Sequence, residues 1–198
     1  MTPLIIILLN KLKHYGIRDS VNNWFESYLS NRQQYVFVNG ESSQSRNITC
    51  GVPQGSVLGP LLFLIYINDL PNISKKLNFY LFADDTNIYF EAENPVILET
   101  VLNKELKKLQ TWLVVNRLSL NIEKTNFVVF HPYNKPLKFN ITLKIQKKAI
   151  TEKKTVKYLG IMIDSGLTWQ VQIDNLSKKI QDLLDYFIKL DLLLTHTL

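Results

Sequence analysis

The spacing of apolar residues changes several times along the chain, and each change marks an element. Over residues 4–15, Ile5, Leu8, Leu9 and Leu12 recur at helical spacing, and Gly16 suits the left-handed position that ends a helix. A second helix is predicted over residues 21–29, with Ser20 as its N-cap and Trp24, Phe25 and Tyr28 on its apolar side. Residues 35–38 have strand character. The Asn39-Gly40 dipeptide after them signals a hairpin that returns the chain through residues 47–50. A loop with Pro53, Gln54 and Gly55 leads into a nearly unbroken apolar run, residues 57–70, predicted to be a buried helix.

Residues 78–90 form the next hairpin, with Phe79-Tyr80-Leu81-Phe82 outbound, residues 87–90 returning, and Asp84 and Asp85 at the tip. Asn94 can cap a helix whose first residue is Pro95, where a missing N–H does no harm. Leu102, Leu106, Leu109 and Leu113 follow at helical spacing, with lysines on the outer side. Residues 126–130 suggest a short strand. Residues 137–145 alternate most cleanly, with Leu137, Phe139, Ile141, Leu143 and Ile145 apolar, as in a strand with one wet face. Residues 155–163 suggest a further strand. From about Trp169 a last helix carries Ile173, Leu176, Ile180, Leu183 and Phe187 on one stripe. Strands and helices intermix without repeats, and the fold class expected is α+β.

Composition narrows this picture. The 198 residues allow one good-sized domain with a small appendage, and 46% hydrophobic content is enough for a core, which excludes a disordered chain. The single Cys50 excludes an internal disulfide and a Cys-rich zinc site, and fits a reducing, intracellular compartment. The apolar runs 4–9 and 57–70 fall short of the roughly 20 residues that a membrane helix needs, so no membrane partner is expected. Net charge is +6, with Lys104, Lys107, Lys108, Lys144, Lys147, Lys148, Lys153, Lys154 and Lys157 in the second half. Such lysines suit a phosphate backbone, although a solvated face has the same composition.

The chemistry centres on Asp84 and Asp85. Two adjacent carboxylates repel, and a divalent cation reverses that penalty. An Asp-Asp pair in a turn has an ordinary structural explanation as well, because Asp is a common turn residue. The tip holds no Gly to accept positive φ, so it is not a favoured type I′ turn.

The string FADD (Phe82 to Asp85) resembles the carboxylate hairpin of reverse transcriptases. GVPQGSVLGPLLFLIYINDLP (Gly51 to Pro71) is similar to the segment that precedes that hairpin in non-LTR retrotransposon enzymes. LSLNIEKT (Leu118 to Thr125), KYLGIMID (Lys157 to Asp164), LTW (Leu167 to Trp169) and the upstream KLKHYGI and NWFESYLSNRQQYV resemble further family motifs in the same order. The resemblance implies a right-hand polymerase palm over residues 1–164, an antiparallel sheet backed by helices, and the start of a thumb over residues 165–198. It implies Asp84 and Asp85 as metal ligands for Mg²⁺, with Mn²⁺ as the alternative ion. Pro53, Gln54 and Gly55 would lie beside the incoming nucleotide, with Lys124 acting on the pyrophosphate leaving group. Tyr158, Leu159 and Gly160 would form the strand that grips the primer. Implied partners are an RNA template, a DNA primer and dNTPs, and the parent element would work in the nucleus.

One family feature is missing. The strand that carries a metal-bridging aspartate would end where residues 1–6 stand, and no acidic residue precedes Asp19. The basic fingers would lie further upstream. The expectation is therefore a reverse transcriptase fragment lacking its fingers and first palm strand, inactive or nearly so unless another segment supplies them. The alternatives are a non-catalytic nucleic-acid-binding remnant and a translated relic without a role.

Overall fold

Ile5, Leu8, Leu9 and Leu12 lie on one face of α1 (Pro3–His14), and all four are buried. The computed structural model describes residues 2–48, 50–132 and 139–195, and the chain packs as two units, 1–120 and 121–198. At the end of α1 the Ile17 N–H donates to the Leu12 carbonyl (3.0 Å) and the Gly16 N–H to that of Lys13 (3.1 Å). This paired closure needs a left-handed residue, and Gly16 supplies it at φ +86°.

α2 (Asp19–Leu29) begins earlier than its sequence suggests. The Asn22 N–H closes the first turn on the Arg18 carbonyl, so Ser20 lies inside the helix and makes no capping bond. Phe25 and Tyr28 pack against the core, while Trp24 is half exposed and stacks on Tyr28 at 5.3 Å. A ribbon follows: β1 (Gln33–Gln34), β2 (Phe37–Val38), β3 (Glu41–Ser42) and β4 (Arg46–Asn47), with β2 paired to β3 and β1 to β4. Asn39 and Gly40 both take positive φ, 52° and 85°, as a type I′ turn requires. So tight a turn sends the chain straight back, and the return arm comes through residues 41–47 rather than 47–50. Tyr35, Val36, Phe37 and Val38 are all exposed.

α3 (Leu58–Ile67) buries Gly59, Leu62, Tyr66 and Ile67 but leaves Leu61 and Leu64 exposed. The apolar run is thus a one-sided helix, not a fully buried one, because the first unit's core covers a single face of it. A 3₁₀ turn, Leu70–Ile73, leads to β5 (Asn78–Phe82) and β6 (Asp85–Tyr89), an antiparallel hairpin. α4 (Pro95–Val115) opens as expected, with Asn94 Oδ1 accepting the Ile97 N–H at 2.9 Å, and buries Leu106, Leu109 and Leu113. It also buries Glu105, which breaks the apolar pattern. That carboxylate bonds Lys108 Nζ at 2.7 Å, and this lysine holds its pKa below the usual carboxylate range against the opposing effect of burial.

Lys11 ties three helices together. Its ammonium donates to the Tyr66 carbonyl at 2.5 Å and to Asp69 at 2.6 Å, and lies 4.8 Å and 5.1 Å from the ring centres of Tyr66 and Trp112. The Tyr66 hydroxyl in turn donates to the Asn116 carbonyl at 2.6 Å, just beyond the end of α4.

The second unit contains β7 (Asn126–Phe127), β8 (Lys144–Ile145), β9 (Lys148–Ala149), β10 (Thr151–Glu152), β11 (Thr155–Tyr158), β12 (Ile161–Asp164) and α5 (Gln170–Thr195). Ile141, Leu143 and Ile145 are buried, as the alternation indicates, but of the described residues of that stretch only 144–145 form a ladder. Residues 133–138, including Leu137, lie outside the described residues. The single strand expected over residues 155–163 is instead a hairpin, β11 against β12, because Leu159 and Gly160 both take positive φ and turn the chain. The α5 stripe Ile173, Leu176, Ile180, Leu183 and Phe187 forms a helix face as expected, and that face is exposed. Asp164 leads into α5, accepting N–H bonds from Gly166 (3.1 Å), Thr168 (3.0 Å) and Trp169 (3.0 Å). These bonds, that of the Thr168 N–H foremost, hold its carboxyl below the usual range.

The architecture is α+β, with mixed helices and small sheets. Among the described residues every sheet is two-stranded, and all the pairs are antiparallel except β7 with β10. The antiparallel sheet implied by the sequence resemblance is thus present as separate ribbons, since their outer edges find no further strand among these residues.

Burial, and then the charge of Asp69, push the Tyr66 phenol up to about 12. Its folded pKa therefore exceeds the unfolded value of about 10. The resulting stabilisation is complete below pH ~10 and is lost as pH rises toward 12, by an amount on the order of 2 kcal/mol. Urea midpoints measured between pH 8 and 12 should fall more steeply for the wild type than for Tyr66→Phe. At neutral pH the variant should be about 1–2 kcal/mol less stable, because the Asn116 carbonyl loses its donor. Parallel pH profiles for the two proteins would refute this assignment.

Candidate metal and nucleotide site

The β5–β6 register runs from Asn78↔Tyr89 to Phe82↔Asp85, which leaves only Ala83 and Asp84 for the turn. The tip is therefore shifted one residue from its expected position: Asp84 lies in the turn and Asp85 opens β6. The positive φ for which the sequence offers no Gly is taken by Ala83, at 50°. A left-handed backbone of this kind costs an L-residue roughly 1–2 kcal/mol, and two-residue hairpin turns demand it.

Directly paired residues share a face of the hairpin. Phe79 with Ile88 and Leu81 with Thr86 make one face, while Tyr80 with Asn87 and Phe82 with Asp85 make the other. Leu81 packs against the first unit's core, whereas Tyr80 and Phe82 are exposed. The inward face thus anchors the hairpin, and Asp85 stands on the outward face. Both carboxylates are exposed, and neither joins a hydrogen bond or ion pair among the described residues. They offer hard oxygen donors with no competing partner. That suits a divalent ion such as Mg²⁺, which takes one or two protein carboxylates and completes its shell with water or substrate phosphates. No group of three or more His, Cys, Asp or Glu side chains able to hold a metal occurs among the described residues.

The loop before α3 is also a built turn. The Pro53 carbonyl accepts the Ser56 N–H (3.3 Å) and the Ser56 hydroxyl (2.7 Å), and Gly55 between them has φ +77°. A positive φ at the third residue marks a type II turn and favours Gly. Ser56 Oγ then accepts the Gly59 N–H at 3.0 Å, in the first turn of the helix. A side chain at Gly59 would have its Cβ 3.1 Å from Ser56 Oγ and 3.2 Å from the Pro53 oxygen, so the loop sits directly on this glycine. The result exposes Gln54 and Gly55, while Val52 packs against the same core as Leu81.

The other candidate residues belong to the second unit. Lys124 is exposed in a turn where Asn121 Oδ1 accepts its N–H at 3.1 Å. Tyr158 ends β11, and Leu159 and Gly160 form the exposed turn to β12 rather than the middle of a strand. The structure thus anchors Asp84, Asp85 and Pro53–Gln54–Gly55 on one core, and carries Lys124 and Tyr158–Leu159–Gly160 elsewhere. The bonds made by Ser56 did not enter the sequence reading, although a serine three residues before Gly59, at the start of an apolar run, is a legible signal for them.

A family profile described as reverse transcriptase (RNA-dependent DNA polymerase) matches residues 6–163. The RNA-directed DNA polymerase from mobile element jockey of Drosophila melanogaster is 28% identical over 77% of this chain. The probable RNA-directed DNA polymerase from transposon X-element of the same fly is 26% identical over 79%. The probable RNA-directed DNA polymerase from its transposon BS is 28% identical over 82%. The chain spans 17% of the length of the first two relatives and 18% of the third.

Ala83→Gly should remove the strain at the hairpin tip and raise stability by about 0.5–1 kcal/mol, net of the glycine's greater unfolded-state entropy. A urea midpoint that falls instead would show that Ala83 is not strained.

Proposed function

The chain belongs to the reverse transcriptase (RNA-dependent DNA polymerase) family, on its non-LTR retrotransposon side, and on that premise we propose that it is the carboxylate-bearing part of an RNA-directed DNA polymerase. The observation that carries this reading is the pair Asp84 and Asp85, exposed and unpartnered at the end of a hairpin anchored by Leu81. In this reading residues 1–164 serve as palm and residues 165–198 begin the thumb. Asp84 and Asp85 would hold divalent cations, Mg²⁺ or Mn²⁺, which would supply Lewis-acid activation of a primer 3′-hydroxyl and charge stabilisation for the pyrophosphate leaving group.

The remaining roles follow from side-chain chemistry. The Gln54 amide can hydrogen-bond the sugar or base of an incoming dNTP, and Gly55 lets backbone approach it closely. Lys124 supplies a proton or a positive charge to the leaving group. Tyr158, Leu159 and Gly160 hold the primer against the RNA template. Two carboxylates without a third metal-bridging one give incomplete electrostatic stabilisation, so the chain alone should polymerise weakly or not at all.

A second reading, a nucleic-acid-binding remnant, draws on Lys147, Lys148, Lys153, Lys154 and Lys157. These are exposed, Lys147, Lys148 and Lys157 on hairpins of the second unit and Lys153 and Lys154 on the link before β11, and no ion pair engages them among the described residues. Binding through these lysines should weaken steeply as salt rises.

Mn²⁺ titration followed by electron paramagnetic resonance should detect binding to the wild type and its loss in Asp84→Asn with Asp85→Asn. Persistent binding in the double variant would remove the metal assignment. In parallel, primer extension on an RNA template should give little or no product. Robust extension that the double variant abolishes would keep the site and overturn the expectation of weak activity.

A further inference from the structure

The stretch that presents Gln54 and Gly55 belongs to no helix or ladder, yet its backbone is held at both ends. At its start the holding group is a guanidinium that bonds backbone carbonyls. Arg32 Nε donates to the Leu29 carbonyl at 3.2 Å, at the end of α2. Its Nη2 donates to the Cys50 carbonyl at 3.5 Å and, more closely, to the Gly51 carbonyl. Leu29 is buried in the core, so the planar fork of Arg32 bridges a fixed helix end to the start of the turn. At the far end Ser56 bonds Pro53 and Gly59, and a Cβ at Gly59 would press on both, 3.1 Å from Ser56 Oγ and 3.2 Å from the Pro53 oxygen. Between the two clamps, Val52 packs against the core. What remains outward-facing is Gln54 with Gly55.

We infer that Arg32 is a positioning residue, which with Ser56 preforms the Pro53–Gln54–Gly55 turn for a nucleoside triphosphate; the nucleotide part of this rests on the function proposed above. The fork matters more than the charge. Arg32 meets carbonyls on two separate segments at once, and a lysine ammonium is a single point that cannot reproduce this geometry. Preformation would appear as affinity, because a turn already in its bound shape loses little freedom on binding.

The test uses the full chain and its variants Arg32→Lys, Arg32→Ala, Ser56→Ala and Ser56→Thr. Amide hydrogen exchange is read at Ser56, global stability by urea, and affinity for dTTP in Mg²⁺ by fluorescence titration. Arg32→Lys and Arg32→Ala should both speed exchange at Ser56 by about tenfold or more and weaken dTTP by a similar factor. Amides of α1 and α4 should keep wild-type rates. Ser56→Ala should behave like the arginine variants, and Ser56→Thr, which keeps the hydroxyl, like the wild type. The inference is overturned if Arg32→Lys matches the wild type in exchange and affinity, since charge alone would then suffice. It is equally overturned if Arg32→Ala leaves Ser56 exchange unchanged. A wild-type chain that binds no dTTP would defeat the nucleotide reading, while the exchange comparison would still decide whether Arg32 holds the turn.

Discussion

An ammonium largely withdrawn from water is stable only if its surroundings replace the lost hydration, and Lys11 meets that condition at the centre of the first unit. Its side chain is 14% exposed, and its charge is answered by a carboxylate, a carbonyl and two aromatic faces. Those groups come from α3, the residues just after it, and α4, so the one cation fixes how α1 lies against both. Leu12, its neighbour in sequence, is fully buried in the same cluster as Leu62 and Ile67. The hairpin bearing Asp84 leans on this cluster through Leu81, and the Gln54 loop leans on it through Val52. The chemical groups thus rest on the same core beside which the Lys11 contact sits.

Much of this was legible in the sequence because local physics dominates it. Gly16, Asn39-Gly40, Asn94 and Pro95 each do what their backbone and side-chain preferences dictate. The hairpin and the loop of the candidate site were legible as well, since each is a local unit. What could not be read was long-range or two-sided. An apolar run such as residues 57–70 declares itself helical but not how many faces find partners, and Leu61 and Leu64 find none. Glu105 occupies a core position because Lys108, one turn on, neutralises it. The break at Leu159-Gly160 was masked by flanking residues that all favour strand. Arg32 was invisible for a related reason: its acceptors lie far along the chain, and carbonyls leave no mark in sequence.

The two halves of the candidate site use opposite means to the same end. At the hairpin, a two-residue turn forces Ala83 into a left-handed conformation, and the ladder below overrides the strain. At the loop, Gly55 accepts positive φ freely, and side-chain bonds from Arg32 and Ser56 do the fixing. One is rigid because the backbone pairing leaves no choice of register, the other because polar side chains close it off. Both leave the side chains of Asp84, Asp85 and Gln54 exposed.

The parallel pairing of β7 with β10 bears on the entropy of closing the chain. Asn126 meets Thr151 and Phe127 meets Glu152, so the whole intervening segment must be closed before either bond forms. The β8–β9 and β11–β12 hairpins, by contrast, close across two-residue turns. Loop-closure entropy grows with the length enclosed, so the parallel contact costs more chain entropy to close than either hairpin. The second unit's one parallel contact among the described residues is thus also its least local strand pairing.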